Sequence, residues 1–182
     1  GREKSIYNKF IKEKLPPSGK KISIVGAGPA GLSAAFWLSR LGHEVTVYDA
    51  EQEAGGILRW GIPAYRLPKD VLKKEINFIQ KLGARFIFNT RMETKDQWQR
   101  LLDASDAVIV SVGAAYEMAL GIPGEDMKGV FGASEFLKKI SENQKLKLGS
   151  EVVVVGGGNS AIDAARSALR LGATVTLVYR RA

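Results

Sequence analysis

The stretch Val25-Gly26-Ala27-Gly28-Pro29-Ala30-Gly31 returns 130 residues later as Val155-Gly156-Gly157-Gly158-Asn159-Ser160-Ala161. The likeness runs past the turn: between 25–48 and 155–178, ten of 24 positions are identical without a gap, including Arg40-Leu41-Gly42 against Arg170-Leu171-Gly172. Two copies of one strand–turn–helix–strand unit are the economical reading. The first copy opens with the apolar strand Ile22-Ser23-Ile24-Val25, and a helix is expected to about Leu41. Gly42 ends that helix, and a second strand covers Val45 to Tyr48.

The glycines have separate tasks. Gly26 permits a tight turn out of the strand, Gly28 lets the backbone approach a pyrophosphate, and Gly31 lets the helix pack closely on the sheet. Free N–H groups and the positive dipole end of the helix then face the phosphates. Asp49, 23 residues after Gly26, stands where an acid accepts hydrogen bonds from ribose hydroxyls. The same count from Gly156 reaches Tyr179, followed by Arg180 and Arg181. The acid has gone, and two guanidinium groups stand where a 2′-phosphate would be gripped, so NADP(H) is favoured over NAD(H). Solvated arginines are the plainer alternative.

Outside the turns, Ala54 to Pro68 is a long stretch punctuated by Gly and Pro, a length that in compact domains usually marks function. A helix from about Lys69 to Leu82 and a strand near Ala84 to Phe88 follow. Ala107-Val108-Ile109-Val110, continuously apolar, reads as a buried fourth strand. Strands alternating with helices predict an α/β chain of two Rossmann-like units, each with a parallel, doubly wound sheet. The expected domains are a basic helical arm and linker over 1–20, a first unit over 21–114, and the N-terminal part of a second over 115–182. The linker Gly113 to Gly124 separates the units.

Composition excludes several classes. With 45% hydrophobic and 25% charged residues the chain is of soluble globular type, and no apolar run nears the roughly 20 residues that span a bilayer. A cytoplasmic setting without a membrane is the default. The absence of cysteine excludes disulfides, a redox dithiol and cysteine-held clusters within this sequence, and no metal site is expected. Of the net charge of +8, five come from residues 1–21, where seven basic residues face Glu3 and Glu13. Within residues 3–14, Ile6, Phe10 and Ile11 have helical spacing, so the arm reads as a short amphipathic helix, solvated or facing an acidic partner. No nucleic-acid module accompanies it.

Two features carry a resemblance to a known family. One is the pair of glycine turns; the other is Gly55-Gly56-Ile57-Leu58-Arg59-Trp60-Gly61-Ile62-Pro63 with Tyr65-Arg66-Leu67-Pro68-Lys69, the more specific of the two. From about Lys20 onward the chain resembles the glutamate synthase small (beta) subunit. Its relatives include the N-terminal part of dihydropyrimidine dehydrogenase and the NADPH-binding subunit of bifurcating transhydrogenases. The resemblance implies FAD on the first unit and NADPH on the second. Hydride passes to the flavin, and electrons leave through an iron–sulfur or amidotransferase-type partner. It implies that Gly26 to Gly31 with Ala27, Pro29 and Ala30, Asp49 with Ala50, and Gly55, Gly56 and Ile57 line the FAD. Arg66 would touch its phosphates or flavin edge, Met92 the adenine, and Gly113 the exit loop, where Ser111-Val112-Gly113 departs from the family's Ala-Thr-Gly. Gly156, Gly157, Gly158, Asn159 and Ser160 would meet the NADPH phosphates, and Arg180 and Arg181 its 2′-phosphate.

Against the family pattern, the cysteine-rich N-terminal domain is missing and the second unit stops after its second strand. The chain is therefore expected to be C-terminally truncated, with an open sheet edge that an oligomer would cover. The alternative function is an assembly module that binds a dinucleotide without turnover. No catalytic acid, base or nucleophile is expected. His43 reads as a turn residue, Trp37 as core, Trp60 as either flavin-adjacent or packing, and Asp163 as a helix-terminus charge before a site residue.

Overall fold

A computed structural model describes residues 2–114, 117–144 and 146–180, with only the backbone described for 2–5. The chain divides into two compact units, one of residues 1–58 and 69–113, the other of 59–68 and 114–182. No helix among the described residues is long and apolar enough to cross a membrane.

The first unit contains α1 (Arg2–Lys12), β1 (Lys21–Val25), α2 (Pro29–Arg40), β2 (Glu44–Tyr48), α4 (Lys69–Lys81), β3 (Arg85–Ile87), α5 (Lys95–Asp103) and β4 (Ala107–Val110); the short α3 (Ile57–Trp60) straddles the division. The sheet is parallel with order β3-β2-β1-β4. The chain builds outward from β1 to β3, then returns to place β4 on the other side of β1. That reversal makes a switch point at the carboxyl ends of β1 and β4, where open α/β sheets take their ligands. Ile24, Val45 and Val47 are wholly buried beneath α2, which contributes Leu32 and Ala35.

Three expectations need correction. β4 is not buried: it lies at the sheet edge, and Val110 is 60% exposed. A continuous apolar run reports strand character, while burial also needs covering elements, which the described residues do not supply here. Trp37 is 54% exposed rather than core. It lies edge-on to Phe36, with the Arg40 guanidinium 5.1 Å above its ring. Nor is the arm simply solvated. Tyr7 stacks on Phe78 at 4.3 Å, Phe10 meets Phe36 edge-on at 5.4 Å, and Lys14 Nζ donates to the Leu82 carbonyl at 2.7 Å. Its apolar side is docked on α2 and α4, while Lys9 stays in solvent beside Glu13.

The second unit contains α6 (Ala133–Ser141), β5 (Glu151–Val155), α7 (Asn159–Arg170) and β6 (Thr174–Val178). β5 and β6 pair in parallel, and Val152 and Val175 pack under Phe136, Leu137, Ala164 and Ala168 of the helices. The residues that alternate outward, Val153 and Val155, are 64% and 56% exposed. Leu177 and Val178 are exposed too. Helices α5 (Lys95–Asp103) and α6 (Ala133–Ser141) are not among the elements the sequence pattern predicts. α5 is announced by a capping box in which Gln97 N–H donates to Thr94 Oγ1 and the Gln97 side chain accepts from Thr94 N–H.

Candidate functional site

The repeat read from the sequence is a repeat of structure. Val25 pairs with Tyr48 as Val155 pairs with Val178. Gly26 N–H donates to the Tyr48 carbonyl at 2.8 Å, and Gly156 N–H to the Val178 carbonyl at 2.8 Å. In both units the helix opens at the third residue of the turn: Gly28 and Gly158 are extended caps without a side-chain partner. Each turn therefore points a helix N-terminus with free N–H groups outward, the arrangement that receives a phosphate.

The first turn is tightly enclosed. Gly26 has φ +105, and a Cβ there would strike the Ser111 backbone. A Cβ on Gly31 would strike the Gly26 carbonyl, so only glycine lets α2 lie this close to the turn. Around Gly28, by contrast, the nearest atom to an added Cβ is the Gly56 Cα at 4.0 Å, leaving the space a pyrophosphate would need. Ser111, which sequence reasoning singled out only as a departure, fastens the turn. Its N–H donates to the Val25 carbonyl at 2.8 Å and its hydroxyl to the Gly26 carbonyl at 2.8 Å.

Asp49 lies directly at this turn. Its Oδ2 accepts from Ala27 N–H at 2.5 Å and its Oδ1 from Glu51 N–H at 2.8 Å. Each carboxylate oxygen keeps a lone pair for a ribose hydroxyl. Gly55 N–H donates to the Ala27 carbonyl at 2.8 Å, which brings the Gly55–Gly56 bend against the turn. Ile57 follows it, 52% exposed. Pro29 occupies the first helical position, Ala30 is exposed beside it, and Ala50 is half-buried next to Asp49. Met92 lines a surface recess of about 380 Å³ with Tyr48, Thr90, Gln97, Arg100, Leu101 and Ala104. Gly113, at φ +72, has open space around it.

At the second turn a Cβ added to Gly156 would meet Ala161 Cβ at an ordinary 3.4 Å, and among the described residues nothing lies within 4 Å of a Cβ added to Gly158. Asn159 and Ser160 are exposed at the start of α7. Tyr179, in the place of Asp49, lays its ring on Gly157, where a Cβ would approach ring carbons to 2.6 Å. Arg180 is exposed beside it, and Arg181 falls outside the described residues.

Arg66 belongs to the second unit, where its Nη1 lies 2.5 Å from Asp163 Oδ2. Asp163 is 4% exposed and lies beyond the first turn of α7, so it is a buried ion-pair partner rather than the helix-terminus charge expected from sequence. Trp60 also belongs to the second unit, with Lys138 Nζ 5.7 Å from its ring. His43 Nδ1 lies 2.7 Å from Ser18 Oγ at the turn before β2, as a turn residue should.

Paired strand–turn–helix units, one ending in an acid and one in a tyrosine and arginine, define the class as a fold of two Rossmann-like units. Residues 20–182 match the family described as pyridine nucleotide-disulphide oxidoreductase, and the chain belongs to that family. It is 47% identical over 171 residues to the NADP(+)-dependent formate dehydrogenase subunit beta of Moorella thermoacetica, covering 90% of this chain and 24% of the relative. It is 39% identical over 178 residues to the glutamate synthase [NADPH] small chain of Escherichia coli, covering 90% and 37%. The resemblance drawn from the sequence is thereby supported. Among solved structures, Mycobacterium tuberculosis FprA in complex with NADPH aligns with a TM-score of 0.70 and 30% identity, covering 84% of this chain and 36% of that one. The chain thus spans about a quarter to somewhat over a third of these proteins.

Proposed function

We propose that the chain is the paired-nucleotide module of an NADPH-dependent flavoprotein, with FAD at the Gly26 turn and NADPH at the Gly156 turn. One observation carries the reading. Two turns with the same strand register and hydrogen bonds differ at the residue that meets the ribose, Asp49 in one and Tyr179 with Arg180 in the other.

The residues fit this division. At the first site the N-terminus of α2 takes the pyrophosphate in the space over Gly28, bounded by Gly55, Gly56 and Ile57, while Asp49 accepts from the adenosine ribose. The recess at Met92 has the size and mixed polarity to receive an adenine ring. At the second site Gly157, Gly158, Asn159 and Ser160 meet the pyrophosphate, and Arg180 with Arg181 grips the 2′-phosphate. With both bound, the nicotinamide supplies a hydride and the flavin accepts it, which is the cofactors' own chemistry. The chain's task is to bind, orient and exclude water, with no acid or base of its own.

Electrons are proposed to leave for an iron–sulfur partner in a cytoplasmic complex. One observation supports a partner: Moorella thermoacetica and Geobacter sulfurreducens relatives are named as beta subunits. The test is anaerobic titration of the full-length protein. A yellow protein whose visible flavin band NADPH bleaches, at far lower concentration than NADH, is the expected result. A colourless protein that FAD and NADPH leave unchanged would favour the assembly module without turnover.

A further inference from the structure

Residues 59–68 leave the first unit after Leu58, join the second, and re-enter the first at Lys69. Within the second unit this loop is fastened to α7 at two adjacent residues. Tyr65 has the Arg170 guanidinium 3.9 Å and the Arg166 guanidinium 4.6 Å from its ring centre, and its hydroxyl lies 3.4 Å from the Asp163 carbonyl. Arg66 Nη1 meets Asp163 Oδ2 at 2.5 Å.

Asp163 is the unusual member. It is 4% exposed on a helix whose other buried residues are Ala161, Ala164, Ser167 and Ala168, and its Oδ1 is enclosed with no hydrogen-bond partner among the described residues. A buried carboxylate with one bare oxygen costs stability, and an apolar residue of similar size would serve packing better. What only a carboxylate can do here is hold a guanidinium in a fixed place. Arg66 itself is 41% exposed, so its other N–H groups remain accessible.

We propose that Asp163 is a positioning residue that acts through Arg66, and that the pinned loop couples the two nucleotide sites. The loop continues directly from the Gly55–Gly56 bend at the first turn, and Asp163 lies one helical turn beyond Asn159 at the second. Occupancy of either turn therefore changes affinity at the other, and by linkage the factor is the same in both directions. This inference rests on the assignment of FAD and NADPH to the two turns.

The test is the FAD dissociation constant of full-length protein stripped of flavin, measured with and without saturating NADP+, which transfers no hydride to the flavin. In the native protein NADP+ shifts FAD affinity about fivefold or more. In Asp163→Asn each ligand still binds alone, and the factor falls to near one. Asp163→Glu, which keeps the charge, restores part of it. A merely structural Asp163 would weaken both ligands and leave their ratio unchanged, which overturns the proposal. So does a native protein that binds both without coupling. Should Asp163→Asn fail to fold, trypsin cleavage after Arg66 in the native protein decides: NADP+ slows it several-fold, and an unchanged rate overturns the proposal. A native protein that binds no FAD would overturn the functional reading and this inference with it.

Discussion

The turns at Gly26 and Gly156 share one strand register and one set of backbone hydrogen bonds, yet a different residue follows the second strand of each, Asp49 in the first and Tyr179 in the second. In the first, Ser111 presses against Gly26, Gly31 touches the Gly26 carbonyl, and Asp49 holds Ala27 N–H. Even the far end of the unit is sealed: a Cβ on Gly42 would strike the Pro16 carbonyl, and Leu15 N–H donates to the Arg40 carbonyl at 2.8 Å. In the second, the Tyr179 ring lies on Gly157, where a Cβ would approach ring carbons to 2.6 Å. Identical backbone hydrogen bonds can thus frame turns whose second strands end in groups of different chemistry, a carboxylate in one and an aromatic ring in the other.

The largest expected effect comes from exchanging the residues at the close helix contact. Gly31→Ala should cost about 3 kcal/mol or prevent folding, since the clash is with backbone. Ala161→Gly, the reverse change in the second unit, should cost about 0.5–1 kcal/mol from helix propensity alone. Urea unfolding of each variant gives the comparison, and equal losses would contradict the close backbone contact at Gly31.

Next in size is nucleotide choice. Replacing Arg180 and Arg181 together by alanine should weaken NADPH binding about tenfold or more, the value of a charge-assisted hydrogen bond or two, and barely alter NADH. Equal losses in a binding titration would remove the 2′-phosphate from the account. Tyr179→Asp sharpens the same point by placing an acid where Asp49 stands in the first unit. It should move preference toward NADH by several-fold, a smaller change because Arg180 and Arg181 remain.

The smallest effect concerns the base of the first sheet. Asp106 accepts from Lys20 Nζ and from Lys21 N–H, both at 2.8 Å, tying the start of β1 to the chain entering β4. The Lys20 hydrogen bond, then that of Lys21 N–H, holds the Asp106 carboxyl below its usual value. A carboxyl lowered by folding contributes stability above its unfolded value, near 4, and loses it as pH falls through the folded one. Asp106→Asn should flatten stability against pH below about pH 4, measured by thermal unfolding across that range, and an unchanged acid limb would contradict this.

Much of this was legible in sequence because turns demand particular residues. The spacing of 130 between Gly26 and Gly156, and of 23 to Asp49 and Tyr179, survives intact in the structure. What was not legible depends on partners distant in sequence. Ser111 reaches Gly26 across 85 residues, and Arg66 reaches Asp163 across 97. Trp37 shows a related limit: helical spacing gives a face, but the solvent exposure at the edge of that face depends on neighbours. The α5 capping box at Thr94 and Gln97 was readable all along, since it rests on local pattern.

The division of labour between the turns is tested most directly by crossed binding on full-length protein, using Asp49→Ala and Gly158→Val against FAD and NADP+. Asp49→Ala should lose FAD affinity and still bind NADP+, and Gly158→Val, whose side chain enters the open space at the second turn, should lose NADP+ and retain FAD. Loss of the same ligand by both variants, or of the opposite ligand by each, would contradict the assignment.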